Sequence, residues 1–401
     1  MRVLLASTGG SGHFTPLVPF IDALAARGDE VLVVAQARLE AVLAAREQPY
    51  RVCPEPPPAV LGPVMTRVLT LPVNPGVIVA TREVFGGLHL TSMLPVVEEA
   101  CRSWRPDLVL HESYEYASVV AAERHGIPHA RVAVTAARFS LFTDAVLPSV
   151  LEPYGADLLE KLRASPYLTR FPASVDPSAY AVTRRYHEPA APGTEPSADR
   201  WGGDGDPLVY LTLGTEAGGM PNAPALYRAA LDAVGTLPVR VLVTVGSGTD
   251  VSRLGPLPPQ VRVERWVPQA EVLAGASAVV CHGGSGTVFG ALSAGVPLVC
   301  VPLFADQPTN ARLVAEAGAG VAVEPTGSAE AEAAPLGPAD IPRIREAVEA
   351  VLKEPSYRTA AARLGAETRA TPTAGELLDD LDSLDGPAGL GCGDARGAGG
   401  S

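Results

Sequence analysis

His13 closes the segment STGGSGH (7–13), where one apolar run gives way to glycines before the next apolar stretch begins. A histidine at such a loop–helix junction is suited to accept a proton, because the helix N-terminus disfavours the imidazolium while the position leaves the ring accessible. A base of this kind needs a carboxylate to orient its other nitrogen and to stabilise the cation when it forms. The segment RPDLVLHES (105–113) offers Asp107 and Glu112. Asp107 precedes a buried-strand pattern and Glu112 follows it; ligands of parallel sheets bind outside the carboxyl ends of strands, so Glu112 is the expected partner. The competing reading makes it a surface carboxylate capping a loop.

The second constellation is AVVCHGGSGTVFGALSAG (278–295), a strand, a glycine-rich turn and a helix beginning near Thr287. The amides of Gly283, Gly284, Ser285, Gly286 and Thr287, the positive end of the helix dipole and the hydroxyls of Ser285 and Thr287 suit a diphosphate, and His282 at the strand tip can donate to it. A plain strand-to-helix turn with a capping hydroxyl would read the same in isolation. Its context differs. ERWVPQAEVL (264–273) puts Trp266 and Gln269 after the preceding strand, where an indole can stack on a base and the Val267 backbone can meet its edge. VPLFADQPTNA (301–311) puts Asp306 and Gln307 after the next one, where a carboxylate and an amide can bind sugar hydroxyls. Base platform, diphosphate cradle and hydroxyl reader on adjacent strand ends describe a nucleotide-sugar site. Gly214 and Thr215, after LVYLTLGT (208–215), and Ser11 and Gly12, from the other half, are expected to add contacts to phosphate or sugar.

The elements that must position these residues follow from periodicity. RVLLAS (2–7) reads as a buried strand, Leu17, Phe20, Ile21 and Leu24 fall on one helical face, Gly28 stops that helix, and EVLVVA (30–35) is the next strand. A second alternating series begins at residue 208, with strands at 239–246, 261–267, 278–282 and 297–302 and helices at 223–235 and 307–317. The expectation is an α/β protein of two doubly wound, Rossmann-like domains facing across a cleft. Residues 1–200 form the first domain and 207–355 the second, with helices over 356–384 and a low-complexity tail over 385–401 expected to be disordered. The Gly- and Pro-rich stretch 186–207 joins the domains, and the Pro-rich stretch 53–78 reads as a long, irregular binding loop.

Bulk properties exclude other classes. A net charge of −13 argues against nucleic acid, which demands clustered Lys and Arg. The 5 cysteines are widely spaced with no C-x-x-C, so neither a disulfide framework nor a metal site is indicated. No signal-like leader and no membrane-length apolar run is present, so a cytoplasmic protein without membrane partners is expected. Neither glycine loop carries a P-loop lysine, a G-x-G-x-x-G fingerprint or a G-x-S-x-G elbow. Asp204-Gly-Asp206 imitates a metal-binding DxD but lies in the interdomain stretch and precedes a strand.

From STGGSGHFTPL through RPDLVLHE, YLTLGT, WVPQ and HGGSGT to ADQPTNA, the chain resembles the GT-B inverting glycosyltransferases of bacterial natural products, the enzymes that glycosylate macrolides and calicheamicin-type enediynes. The resemblance implies that the first domain binds an aglycone acceptor, that the second binds an activated sugar, and that neither metal nor other cofactor is needed. His13 would then take the proton of the acceptor hydroxyl, although the family usually has aspartate where this chain has Glu112. Many UDP-sugar members carry a glutamate for the ribose hydroxyls where this chain has Gly290, so dTDP is expected over UDP. Met65, Phe85, His89, Phe139 and Phe142 are the candidates for an apolar acceptor pocket; ordinary core is the alternative for each. A sugar-nucleotide epimerase or a non-catalytic activator of the same fold are the competing functions, and a homodimer is left open.

Overall fold

The computed structural model describes residues 1–189, 201, 205–217, 220, 222–246, 248–326 and 336–384. Most of the 186–207 connection, Asp204 included, and the 385–401 tail lie outside the described residues.

The first sheet contains β1 (Arg2–Ser7), β2 (Glu30–Gln36), β3 (Tyr50–Cys53), β4 (Leu108–Glu112), β5 (His129–Val132), β6 (Tyr167–Thr169) and β7 (Thr183–Arg185). Their spatial order is β3-β2-β1-β4-β5-β6-β7, and every pairing is parallel. The second sheet contains β8 (Leu208–Thr212), β9 (Arg240–Thr244), β10 (Val261–Glu264), β11 (Ala278–Cys281), β12 (Leu298–Cys300) and β13 (Gly320–Ala322), in the order β10-β9-β8-β11-β12-β13, again all parallel. Strand order therefore reverses beside β1 in one domain and beside β8 in the other. At each reversal the loops diverge and open a crevice, which is where open α/β sheets bind ligands.

Alternation along the strands explains why helices cover both faces. Val209, Leu211, Val241, Val243 and Val280 enter one core of the second domain, whereas Leu208, Tyr210, Leu242, Val279 and Cys281 enter the other. The first sheet divides in the same way, Val3 and Leu5 against Leu4 and Ala6.

Two regions depart from the sequence reading. The stretch 53–78 is largely helical rather than irregular: helices span Pro58–Thr70 and Val73–Val79, and a wider, π-type turn, Ala80–His89, runs into helix Leu90–Trp104. Proline masked the first helix, yet Pro58 sits at its start, where a missing N–H costs nothing. The C-terminal helices also part company. Pro355–Arg369 packs on the second domain through Ala361 and Leu364, while Ala374, Leu377 and Leu378 enter the core beside β1. The two domains further meet where Ala136, Phe171 and Val175 join the second domain's core and the Ser174 amide donates to Glu367 at 3.0 Å.

Candidate active site

The loop after β1 is built so that His13 returns to the sheet. Gly10 has φ 138°, a conformation that disfavours any side chain, and its carbonyl accepts from the amides of His13 and Phe14 at 3.2 and 3.1 Å. The helical run thus starts at Ser11, earlier than its apolar face implies, and His13 lies in the first turn. Gln36, fully buried at the end of β2, holds the loop by accepting from the Gly9 amide at 2.6 Å. Ser11 and Gly12 are exposed.

Glu112 ends β4, the strand paired with β1 across the reversal, and this adjacency brings its carboxylate to His13. Nδ1 of His13 is 3.0 Å from Oε1 of Glu112, with the carboxylate fully buried and 22% of the imidazole side chain exposed. Oε1 also accepts from the Thr8 hydroxyl at 2.6 Å, and Oε2 accepts from the Tyr114 amide at 2.7 Å. Burial alone would raise the Glu112 carboxyl. The charge and hydrogen bond of His13, then the Thr8 hydroxyl and Tyr114 amide, outweigh it and hold the group below the usual carboxylate range. A carboxylate only accepts, so Nδ1 carries a hydrogen in either charge state and Nε2 is the nitrogen left to take or give the second proton. Asp107 lies at the other end of the strand, accepting from the Arg2 amide at 2.7 Å.

Around this pair the first domain gathers aromatic rings. Phe85 and Tyr114 lie 5.3 and 5.5 Å from His13 by ring centroids, and His89 packs edge-on to Phe85 at 5.4 Å. Phe139 and Phe142 are 6.1 Å apart and belong to the apolar cluster on which Phe85 also packs. Met65 is half-buried on helix Pro58–Thr70, outside that aromatic set.

In the second domain His282 is wedged between two glycines. A Cβ on Gly214, in the loop after β8, would lie 2.6 Å from its Nε2, and one on Gly284 would lie 2.4 Å from the same atom. Burial pushes the His282 imidazole down to about 4, so the ring is neutral. Helix Ser285–Ser293 starts beside it, capped by Gly284 without a side-chain hydrogen bond, so no side chain at the cap satisfies its first amides. The Ser285 hydroxyl donates to Asp306 Oδ2 at 2.6 Å, and Asn310 Nδ2 donates to the same oxygen at 2.7 Å and to the Gly283 carbonyl at 2.9 Å. Asp306 thereby fixes the turn, its carboxyl raised by burial against those hydrogen bonds and the charge of His13. Gln307 is buried, and its Oε1 accepts from the amides of Leu303 and Phe304 at 2.9 and 3.1 Å. Gly286 and Thr215 are exposed and Thr287 is buried. Trp266 is 74% exposed after β10, with Val267 buried. The strand order puts β10 at the sheet edge, separated from β11 by β9 and β8, so the expected base platform and diphosphate cradle are not on adjacent strand ends, because the chain returns to the other side of β8 before forming β11. The Gln269 carboxamide reaches helix Ser285–Ser293, where a Cβ on Gly290 would stand 2.7 Å from its Oε1.

Four residues that build the site escaped the sequence reading: Thr8, Gln36, Tyr114 and Asn310. Thr8, Gln36 and Asn310 reach across loops that strand order brings together, and Tyr114 acts through its amide on Glu112; no residue pattern in a single sequence signals these bonds.

The chain matches known proteins along both domains. Residues 67–164 match the N-terminal domain, and residues 228–384 the C-terminal domain, of the erythromycin biosynthesis protein CIII-like family. Elloramycin glycosyltransferase ElmGT of Streptomyces olivaceus is 32% identical, covering 96% of this chain and 98% of its own. L-demethylnoviosyl transferase of Streptomyces niveus is 31% identical over 95% and 97%. Among solved structures, glycosyltransferase SsfS6 of Streptomyces sp. SF2575, complexed with thymidine diphosphate, superposes with a TM-score of 0.72 at 25% identity, covering 96% of this chain and 99% of that one. The calicheamicin glycosyltransferase CalG4 shares the fold with a TM-score of 0.74 at 24% identity, over 97% and 99%. No helix among the described residues is long and apolar enough to cross a membrane. The chain belongs to the erythromycin biosynthesis protein CIII-like family and is a natural-product glycosyltransferase of the GT-B fold.

Proposed function

We propose that this enzyme transfers a deoxysugar from a dTDP-sugar to a hydroxyl of a natural-product aglycone, with inversion and without a metal. The observation that carries the reading is the 3.0 Å contact between His13 and the buried Glu112, which leaves a basic Nε2 at the loop end that borders the cleft. The acceptor hydroxyl gives its proton to Nε2 as its oxygen bonds to the anomeric carbon. On the opposite face the bond from that carbon to the diphosphate breaks, and its electron pair leaves with the nucleotide. The charge developing there is met by the first amides of helix Ser285–Ser293, its dipole and the neutral His282. The exposed Trp266 suits base stacking, and Asp306 retains an oxygen for a sugar hydroxyl. The absence of a carboxylate at position 290 suits a deoxyribose, which has no 2′-hydroxyl to bind, and the thymidine diphosphate held by SsfS6 agrees with that preference.

His13→Ala tests the base. Transfer is expected to vanish while dTDP still raises the melting temperature; full turnover in that variant removes the assignment. A thermal-shift comparison of dTDP with UDP tests the donor, and an equal shift removes the preference.

A further inference from the structure

The stretch that follows β6 leaves the first domain for the second. Phe171 and Val175 enter the second domain's core, and Ser174 bonds Glu367 through its amide. Arg170 opens this stretch, directly after β6 and so at the same end of the parallel sheet as Glu112, and it is buried. Its guanidinium carbon stands over the ring of Phe289, 4.7 Å from the centroid, and its Nη1 donates to Glu188 Oε1 at 2.5 Å. Phe289 is buried one turn beyond Ser285 on helix Ser285–Ser293. The first domain therefore grips the helix of the diphosphate turn by its flank, one turn from its first amides. A guanidinium stays charged at every working pH, so burying it costs desolvation that a methionine of similar length would not. What the charge adds is direction: a cation holds to the face of a ring, and the Glu188 carboxylate ties the same guanidinium down, so Phe289 and its helix have one place relative to β6.

Building on the reading that His13 is the base and that the diphosphate lies on helix Ser285–Ser293, we propose that Arg170 is a positioning residue of the transfer reaction: through Phe289 it sets the donor at attacking distance from the acceptor beside His13. It acts on the helix rather than on either substrate. The nucleotide contacts belong to the second domain and survive its loss, whereas the chemical step suffers from a misplacement of about 1 Å.

The test uses the full chain with Cys392→Ser and spin labels at Arg102→Cys and Lys353→Cys, exposed positions of the first and second domains; the other native cysteines are buried. Electron–electron double resonance with dTDP bound reads the distance between the domains. Arg170→Met and Phe289→Leu are each expected to shift or broaden that distance while dTDP affinity by calorimetry stays within about twofold of wild type. In the unlabelled chain each is expected to lower kcat by at least about tenfold, with KM for the donor unchanged, using dTDP-glucose and 2-naphthol as the probe pair. The double variant falls no further than either single one, because both break one contact. Arg170→Lys, which keeps a cation over the ring, recovers part of the rate and covers the case of a poorly folded methionine variant. A wild-type distance or a wild-type kcat in folded Arg170→Met overturns the proposal, as do additive losses or a fall in dTDP affinity that matches the fall in kcat. If the wild type does not turn over the probe pair, the distance decides alone. His13→Ala reads the base separately, by abolishing transfer with the distance unchanged, so either reading can fail without the other.

Discussion

Nδ1 of His13 and Oε1 of Glu112 lie 3.0 Å apart because β1 and β4 are neighbours at the point where strand order reverses. Each oxygen of Glu112 is in use: Oε1 serves His13 and the Thr8 hydroxyl, and Oε2 serves the Tyr114 amide. Glu112→Gln puts an NH2 group where one of those donors points, so a buried donor faces a donor and stability falls by about 1–3 kcal/mol. The His13 ring loses its anchor as well, and turnover is expected to fall on the order of 10²–10⁴-fold with dTDP affinity unchanged. Steady-state kinetics with a dTDP titration measures both. The linkage sign follows from the lowered folded value: this carboxylate stabilises the fold above the ordinary glutamate range and loses that contribution as pH falls through its folded pKa.

The diphosphate turn depends on space for His282. Gly284→Ala sets a Cβ 2.4 Å from His282 Nε2, and Gly214→Ala sets one 2.6 Å away at a backbone φ of 76° that alanine resists. The ring must swing out of its slot in either variant. Both are expected to weaken dTDP at least tenfold by calorimetry, with Gly214→Ala also lowering the melting temperature. Wild-type dTDP affinity in both would show that His282 does not contribute to the nucleotide site.

How much of this was legible beforehand differs by feature. The doubly wound fold follows from the alternation of strand and helix periods, and Glu112 over Asp107 from the rule that ligands gather at the carboxyl ends of parallel strands. Helix Pro58–Thr70 was not legible, because its prolines suppress a periodic signal that tertiary packing does not need. Strands β6, β7 and β13, of three residues each, are too short for any pattern to register. Residue type makes Ser285 and Gln307 ligand contacts, yet their hydrogen bonds run to Asp306 and to the backbone of Leu303 and Phe304. Such commitments depend on which loops meet, and that is a property of the assembled sheet.

His89 gives the fold an acid-sensitive element. Its folded pKa of about 4 lies below the model-peptide value of 6.5, so between those values the unfolded chain binds a proton that the folded chain refuses. Stability therefore falls as pH drops from 6.5 towards 4, by up to roughly 3 kcal/mol from this group. Replacing it by leucine removes the term. Denaturant melts at pH 7 and pH 4.5 are expected to show a smaller loss for His89→Leu than for wild type; parallel losses would contradict the assignment.

A side chain at position 290 starts 2.7 Å from Gln269 Oε1 and 3.4 Å from Leu273 Cδ1. The first obstacle is the end of a flexible side chain, so it can turn away; the second is a tight but tolerable contact. Gly290→Glu is therefore expected to fold, displacing the Gln269 carboxamide and setting a carboxylate where ribose hydroxyls would pass. A charged hydrogen bond is worth about 1.5–3 kcal/mol, so the ratio of UDP to dTDP affinity should rise by at least tenfold. Gln269→Ala combined with Gly290→Glu removes the obstacle and should raise the ratio further. Competition calorimetry with the two nucleotides reads it directly. An unchanged ratio in the double variant would mean that position 290 does not face the pentose, and the preference for dTDP would then rest on the base alone.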